Sequence, residues 1–249
     1  MEKLTSRKNE YIRHLRSLAS DRAYRAQRGE FICDGMKLLK EALCFNAAVT
    51  SVLWKGAAES LDGLDCEAQF AADDDLFDYA SPMKNSPGPL FTVKIPVQDH
   101  DTAIKNAIVL ETVQDPGNVG TVIRTANAFG ISAVILTGEC ADLYNPKTVR
   151  STMGAIFRQR VLTLDTEKLK ELLEKNSLPL YGAALHRDSA LLTALDVKRS
   201  ALAVGSEGKG LSETLLSLCD KTVFIPMQPD SESLNAAVAA SVIMWEMAR

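Results

Sequence analysis

No stretch of this sequence stays apolar for long enough to span a bilayer, and its opening residues, M-E-K-L-T-S-R-K-N-E, lack the apolar core of a signal peptide. Neither a membrane protein nor an exported one is expected. Cysteine is scarce: five residues, at 33, 44, 66, 140 and 219, make an odd number with no C-x-x-C pair. That pattern argues against a disulfide framework or a cysteine zinc site, and for reduced thiols in the cytoplasm. Three histidines, His14, His100 and His186, are too scattered to form a histidine cluster, so no metal is expected. Internal repeats and low-complexity tracts are missing too. So are both common phosphate loops, although V-G-S-E-G-K-G-L-S at 204–212 suggests one. A Walker A loop is ruled out because Lys209 precedes Gly210 and its first glycine position holds Ala203. In a dinucleotide loop the glycines run G-x-G-x-x-G, whereas Gly205, Gly208 and Gly210 invert that order.

What is present is an ordinary globular composition. The 249 residues, 46% hydrophobic and 24% charged, make one large or two modest domains. The net charge of −4 hides an asymmetry. Residues 1–28 hold eight basic side chains (Lys3, Arg7, Lys8, Arg13, Arg16, Arg22, Arg25, Arg28) against three acids, a local +5 that leaves −9 on the rest. Between Ala57 and Ala80 there are eight acids and no Lys or Arg. A basic arm on an acidic body engages phosphates locally while keeping non-specific binding weak. A solvated helix face is an equally good reading of that run by itself.

Periodicity divides the chain in two. Ile12, Leu15 and Ala19 recur at helical spacing along Asn9–Gln27, with Gly29 as a stop. E-F-I-C reads as a strand, and Asp34 as the cap of a helix over Met36–Phe45. Strands at V-T-S-V-L-W, A-Q-F-A-A and P-L-F-T-V-K-I, with a short helix at D-D-L-F-D-Y-A, complete a small α/β layer over residues 1–97. The polar stretch V-Q-D-H-D-T-A-I-K then serves as a linker. From about residue 105 to 249 the alternation restarts. A-I-V-L-E-T-V leads into a helix carrying Val119, Val122, Ile123, Ala126 and Phe129, and I-S-A-V-I-L, L-P-L-Y-G-A-A-L, S-A-L-A-V-G and K-T-V-F-I-P are further strands. Near-continuous apolar runs of this kind suit parallel strands covered on both faces. A helix from about Ser233 to Met247 closes the chain. Ligands on open α/β sheets sit beyond the carboxyl ends of the strands.

Three groups stand at such ends. In Q-D-P-G-N-V-G-T-V-I-R-T-A-N, Asn118 lies near a helix start and Arg124 six residues on; helix-end satisfaction and an ion pair explain them equally well. In the glycine-rich nonapeptide Glu207 is a free carboxylate among residues that permit close backbone approach. In I-P-M-Q-P-D-S-E-S-L-N-A-A-V-A-A-S, Ser233 and Asn235 open an apolar helix, where capping alone accounts for them.

Together, in order and spacing, these groups resemble the three motifs of the SpoU/TrmH-type RNA 2′-O-ribose methyltransferases of the SPOUT superfamily: N-V-G-T-x-I-R-T-A at 118–126, G-S-E-G-K-G-L at 205–211, and I-P-M with S-L-N-A-A-V-A-A-S at 225–227 and 233–241. N-P-K-T-V-R-S-T-M-G-A at 145–155 is similar to the family's segment between the first two motifs. R-G-E-F-I-C-D-G-M-K-L-L-K-E-A-L at 28–43 resembles its ribosomal-protein L30e-like RNA-binding domain, with Asp34 where relatives usually carry glutamate. The resemblance implies an RNA substrate-binding domain at 1–97 and a trefoil-knotted, parallel-sheet methyltransferase domain at 105–249. It also implies S-adenosylmethionine as cofactor, held by Gly205, Ile225, Met227 and Leu234. Arg124, Glu207 and Asn235 take the catalytic roles, and Asn118 and Ser233 position the RNA. A guanidinium stays protonated in proteins, so Arg124 reads as an electrostatic clamp on the developing alkoxide, with Glu207 orienting it or accepting a proton. A homodimer is implied, with no membrane or DNA partner. The expected substrate is 23S ribosomal RNA. Transfer RNA and a non-catalytic RNA-binding factor of the same fold are the alternatives, and all three catalytic positions being filled argues against the latter. A nucleotide-dependent oxidoreductase is disfavoured, because no G-x-G-x-x-G follows a first strand.

Overall fold

A computed structural model of the chain describes residues 2–59, 61–185, 188–228 and 233–249. His186, one of the three histidines considered above, and residues 229–232 of the third motif lie outside the described residues. The first 97 residues carry β1 (Glu2–Leu4), α1 (Glu10–Ser20), α2 (Arg22–Arg28), β2 (Glu30–Asp34), α3 (Met36–Cys44), β3 (Val49–Lys55), β4 (Ala68–Ala72), α4 (Asp74–Ala80) and β5 (Leu90–Lys94). After them come β6 (Ala107–Glu111), α5 (Pro116–Ala128), β7 (Ala133–Thr137), α6 (Pro146–Ser151), β8 (Val161–Thr163) and α7 (Thr166–Asn176). The chain continues with β9 (Leu180–Ala183), β10 (Ala190–Leu191), β11 (Ala201–Val204), α8 (Glu213–Leu218), β12 (Lys221–Phe224) and α9 (Ala236–Ala248). Among the described residues no helix is long and apolar enough to cross a membrane.

The chain packs as two units, Met1–Val97 with Asp142–Phe157, and Gln98–Ala141 with Arg158–Arg249. In the first, a five-stranded sheet runs in the order β1-β4-β3-β5-β2. The β1, β4 and β3 strands are mutually parallel, and β5 is antiparallel to both β3 and β2. Alternation along the strands sends Ile32, Leu53 and Leu90 to one face, where Ile12, Leu15 and Leu18 of α1 and Phe77 of α4 meet them. Phe31, Cys33, Val52, Trp54 and Phe91 go to the other face, against Leu38, Leu39 and Ala42 of α3 and Val149 of α6. Each fully buried Leu or Ile contributes about 1.5–3 kcal/mol relative to exposure. The 142–157 segment therefore completes a core begun far earlier in the chain.

Two local expectations change. The helix expected over Asn9–Gln27 breaks at Asp21, which ends α1 and caps α2 by accepting from Tyr24 N; Gly29 does stop α2, in the left-handed conformation at φ 62°. Asp34 does not cap α3, whose cap is Gly35 with no side-chain bond. Its carboxylate instead accepts from the hydroxyls of Ser81 (2.9 Å) and Ser86. Arg25, counted in the basic arm, is 4% exposed. It donates through Nε to Asp142 Oδ2 at 3.0 Å, forms a second short bond to the same oxygen, and donates through Nη1 to Leu18 O at 2.5 Å.

In the second unit seven strands, all parallel, run in the order β10-β12-β9-β11-β6-β7-β8. One face is built on Ala107, Val109, Ile135, Leu162 and Ala203 against Leu169, Leu172, Leu173 and Leu215. The alternate residues Ile108, Leu110, Val134 and Leu202 are equally buried. Helix α5 packs on β7, and α9 packs on α5 and β11. Burial on both faces explains the uninterrupted apolar runs. The expected linker is tied down within this unit, since Arg160 donates to the carbonyls of Asp99 and Thr102.

Candidate active site

All seven strands point their carboxyl ends the same way, so the loops after β6, β11 and β12 emerge at one end of the sheet. At the end of β6, Thr112 is held at φ 56°, a left-handed conformation rare for a β-branched residue, with its amide bonded to Thr137 O. Asp115 then caps α5: its Oδ1 accepts from Asn118 N at 2.9 Å, ahead of Pro116 at the first helical position. Capping is thus the work of Asp115, and the side chain of Asn118 is free for other partners.

Those partners come from the other two motifs. Asn118 Nδ2 donates to Glu207 Oε1 at 2.8 Å, and Asn235 Nδ2 donates to the same oxygen at 2.5 Å and to Asn118 Oδ1 at 3.1 Å. Ala236 N, at the start of α9, adds a third bond to Glu207 Oε1 at 3.2 Å. Asn235 also caps α9, its Oδ1 accepting from Ala237 N and Val238 N. Both readings of Asn235, cap and site residue, therefore hold at once. Glu207 Oε2 has no partner among the described residues, and Glu207, Asn118, Thr112 and Asp115 line a cavity of about 280 Å³ with Gly208 and Lys209.

The glycine-rich loop doubles back on itself. A Cβ at Gly205 would lie 2.1 Å from the carbonyl carbon and oxygen of Gly210 and 2.5 Å from Leu211 N, so only glycine fits there. Gly210 N closes the loop onto Ser206 O at 2.9 Å. Glu207, Gly208 and Lys209 donate no backbone hydrogen bond among the described residues. The loop's exit is clamped by Glu111, a buried carboxylate at the end of β6, which accepts from Ser212 N at 2.7 Å and Ser212 Oγ at 2.6 Å. Nearby, burial pushes the Cys140 thiol above its ordinary pKa, and its Sγ donates to Leu110 O and Thr137 O. That thiol is held as a neutral packing group.

Not every expected residue joins this cluster. Arg124 is exposed on α5, about 120° round the helix from Asn118 at 3.6 residues per turn, and its side chain has no hydrogen bond or ion pair among the described residues. Glu207 therefore does not orient it within one chain. Ser233 is exposed, Leu234 and Ile225 are half-buried, and Met227 is 39% exposed; none of these four lines the cavity. Sequence reasoning missed Asp115 and Glu111. The first was signalled by an acid immediately before Pro-Gly at a helix start; the second, an acid ending an apolar strand, has no signal without its partner.

The profile of the SpoU rRNA Methylase family matches residues 105–245. A 23S rRNA (guanosine(2553)-2′-O)-methyltransferase, RlmP of Bacillus subtilis (strain 168), is 30% identical over 99% of both chains. A 23S rRNA (uridine(2479)-2′-O)-methyltransferase of Streptomyces viridochromogenes is 29% identical over 99% of this chain and 92% of its own. Among solved structures, the SpoU methyltransferase AviRb from Streptomyces viridochromogenes in complex with the cofactor AdoMet superposes with a TM-score of 0.87, at 27% identity over 97% of each chain. With its parallel sheet, its three motifs gathered at one sheet end and these likenesses over its whole length, the chain belongs to the SpoU rRNA methylase family.

Proposed function

We propose that this protein is an S-adenosylmethionine-dependent RNA 2′-O-ribose methyltransferase acting on 23S ribosomal RNA. The observation that carries the reading is the meeting of Asn118, Glu207 and Asn235, from three motifs far apart in sequence, around one carboxylate oxygen. The 23S rRNA specificity of both relatives, each aligned over nearly the full chain, supports the substrate. The residues suit the cofactor. A loop too tight for any side chain at Gly205 leaves the amides of 207–209 unspent, and those of Ile225, Met227 and Gln228 likewise bond to no other backbone group among the described residues. Gly205, Ile225, Met227 and Leu234 would hold it. When bound, it supplies an electrophilic methyl group on a sulfonium.

The chain's own residues then act on the RNA hydroxyl. Asn118 and Ser233 position the ribose. Glu207, its Oε1 fixed by three neutral donors, presents Oε2 to accept a hydrogen bond or the proton of the 2′-hydroxyl. Arg124, permanently cationic, stabilises the developing alkoxide. Because Arg124 is turned away from Glu207 in its own chain, the reading includes a homodimer in which one protomer's Arg124 serves its partner's site. The exposed apolar side chains Val238, Val242 and Trp245 of α9 support that face as the interface. The reading also takes 1–97 as an L30e-like RNA-binding domain and 105–249 as the methyltransferase domain. It includes a trefoil knot, supported by the return of the chain after β12 to pack α9 on α5 and β11. A cytoplasmic site of action suits the five free thiols.

The test is incubation with labelled methyl donor and ribosomal RNA from cells lacking the gene, followed by mapping of alkali-resistant 2′-O-methyl positions. One modified ribose in 23S rRNA is expected. Label confined to bases, protein or transfer RNA contradicts the assignment.

A further inference from the structure

Of the eight basic residues in the first 28, Arg25 is consumed by Asp142. Two others meet on one tyrosine ring, and a third lies a turn away from them. The guanidinium of Arg16 lies 4.1 Å from the centroid of the Tyr79 ring, and that of Arg7 lies 4.6 Å from the same ring. Arg16 Nη1 also donates to Tyr79 O at 2.6 Å, which fixes its position and leaves its other donors free. Arg13, one turn before Arg16 on α1, lines with it a groove of about 570 Å³ between α1 and α4, whose walls include Ser17, Ser20, Tyr79 and Ser81. All three arginines are exposed, and none has a carboxylate within ion-pair distance among the described residues. Asp78, the acid beside Tyr79 in sequence, is engaged by Lys55 at 2.8 Å.

Holding two like charges on one ring, with a third a helical turn away and no ion-paired acid among the described residues, costs Coulomb energy, and the tyrosine ring offsets only part of it. Such an arrangement is stabilised by an anion, and a pre-oriented guanidinium matches a phosphate through paired donors. The groove's volume admits a nucleotide-sized segment. We infer that the α1–α4 groove, through Arg13 and Arg16 that line it and Arg7 that shares the Tyr79 ring with Arg16, binds the phosphodiester backbone of the RNA substrate. The inference rests on the RNA reading above and adds to it the surface by which the first unit takes hold of RNA, remote in sequence from every catalytic motif. Phosphate contacts of this kind set position and affinity and carry no base specificity.

The experiment measures the affinity of full-length protein for a 23S rRNA transcript as a function of salt, beside cofactor affinity and methyl-transfer kinetics. The double variant Arg13→Glu/Arg16→Glu should raise the RNA Kd and KM about tenfold or more and flatten the log–log salt slope by about 1.5–2, as expected for two lost phosphate contacts. Cofactor Kd and kcat at saturating RNA should not change. Arg13→Glu alone keeps the Arg16–Tyr79 bond, so a folding defect in the double variant would not mask the effect; it should give about half the change in slope. Lys170→Glu/Lys198→Glu, exposed lysines of the second unit, has the same net charge and should leave the slope as in the native protein. An unchanged slope in the arginine variants, or an equal change in the lysine control, overturns the groove assignment, including the case where only a protein partner is lost. If native protein transfers no methyl group yet binds RNA with a slope that the arginines alter, the catalytic reading fails and the groove stands.

Discussion

Glu207 and Asp142 are carboxylates in different units, and each accepts from three donors with opposite consequences. Asp142 takes two bonds from the buried Arg25 guanidinium and one from Tyr144 N, so its charge is cancelled inside a core. Glu207 is exposed, and its donors are two side-chain amides and a backbone N–H, all neutral and all on one oxygen. The first arrangement spends the charge on tying residues 142–157 to the five-stranded sheet. The second fixes the group in place while leaving its charge and its second oxygen available. Orientation without neutralisation is what distinguishes a site from a structural lock.

The contrast can be broken first at the lock. Arg25→Ala leaves Asp142 half-buried without its cation and should cost about 3–5 kcal/mol of stability, read by urea or thermal unfolding. A loss under 1 kcal/mol would show that the pair is dispensable. Next in size is Arg124→Ala. It should lower methyl transfer by about 10²-fold or more, the scale for losing an electrostatic donor, with unfolding and cofactor Kd near native values. A large loss of cofactor binding would contradict its role as a clamp. Glu207→Gln keeps an oxygen for Asn118, Asn235 and Ala236 but removes the charge. A fall in kcat of about tenfold at unchanged cofactor affinity is expected from replacing charge-assisted by neutral hydrogen bonds. A fall as large as that of Arg124→Ala would instead make Glu207 the proton acceptor.

The smallest effect concerns His14, which bonds to Tyr24 Oη and Glu30 Oε2 in the first unit. Burial pushes its pKa below the ordinary value, against the opposing pull of Glu30. The unfolded chain takes up that proton near pH 6.5 and the folded chain does so only at lower pH, so the contribution is complete above about 6.5 and is lost as pH falls below it. Melting temperature should drop between pH 7 and pH 5.5, and by less in His14→Gln. An identical drop in both would remove His14 from the account.

Much of this was legible before any coordinates. Short apolar, β-branched and aromatic segments mark β2, β3, β4 and β5, and uninterrupted apolar runs mark β6, β9, β11 and β12, because burial on both faces writes itself into residue type. Short or polar elements such as α6, β8, α7 and α8 were not read out. The Asn9–Gln27 pattern did not reveal its break, since Asp21 serves as a helical residue or as a cap with equal local sense.

The amino-acid order by itself determined the family resemblance, the parallel sheet and the three candidate motifs, since propensity, pattern and motif spacing are local properties. Only tertiary structure decided which side chains meet. Asn118 and Glu207 are separated by 89 positions, and Arg25 and Asp142 by 117. Whether a charge is neutralised, as at Arg25, or left without an ion-pair partner among the described residues, as at Arg13 and Glu207, depends on what the fold brings within about 3 Å, a range over which hydrogen bonds act and sequence carries no measure.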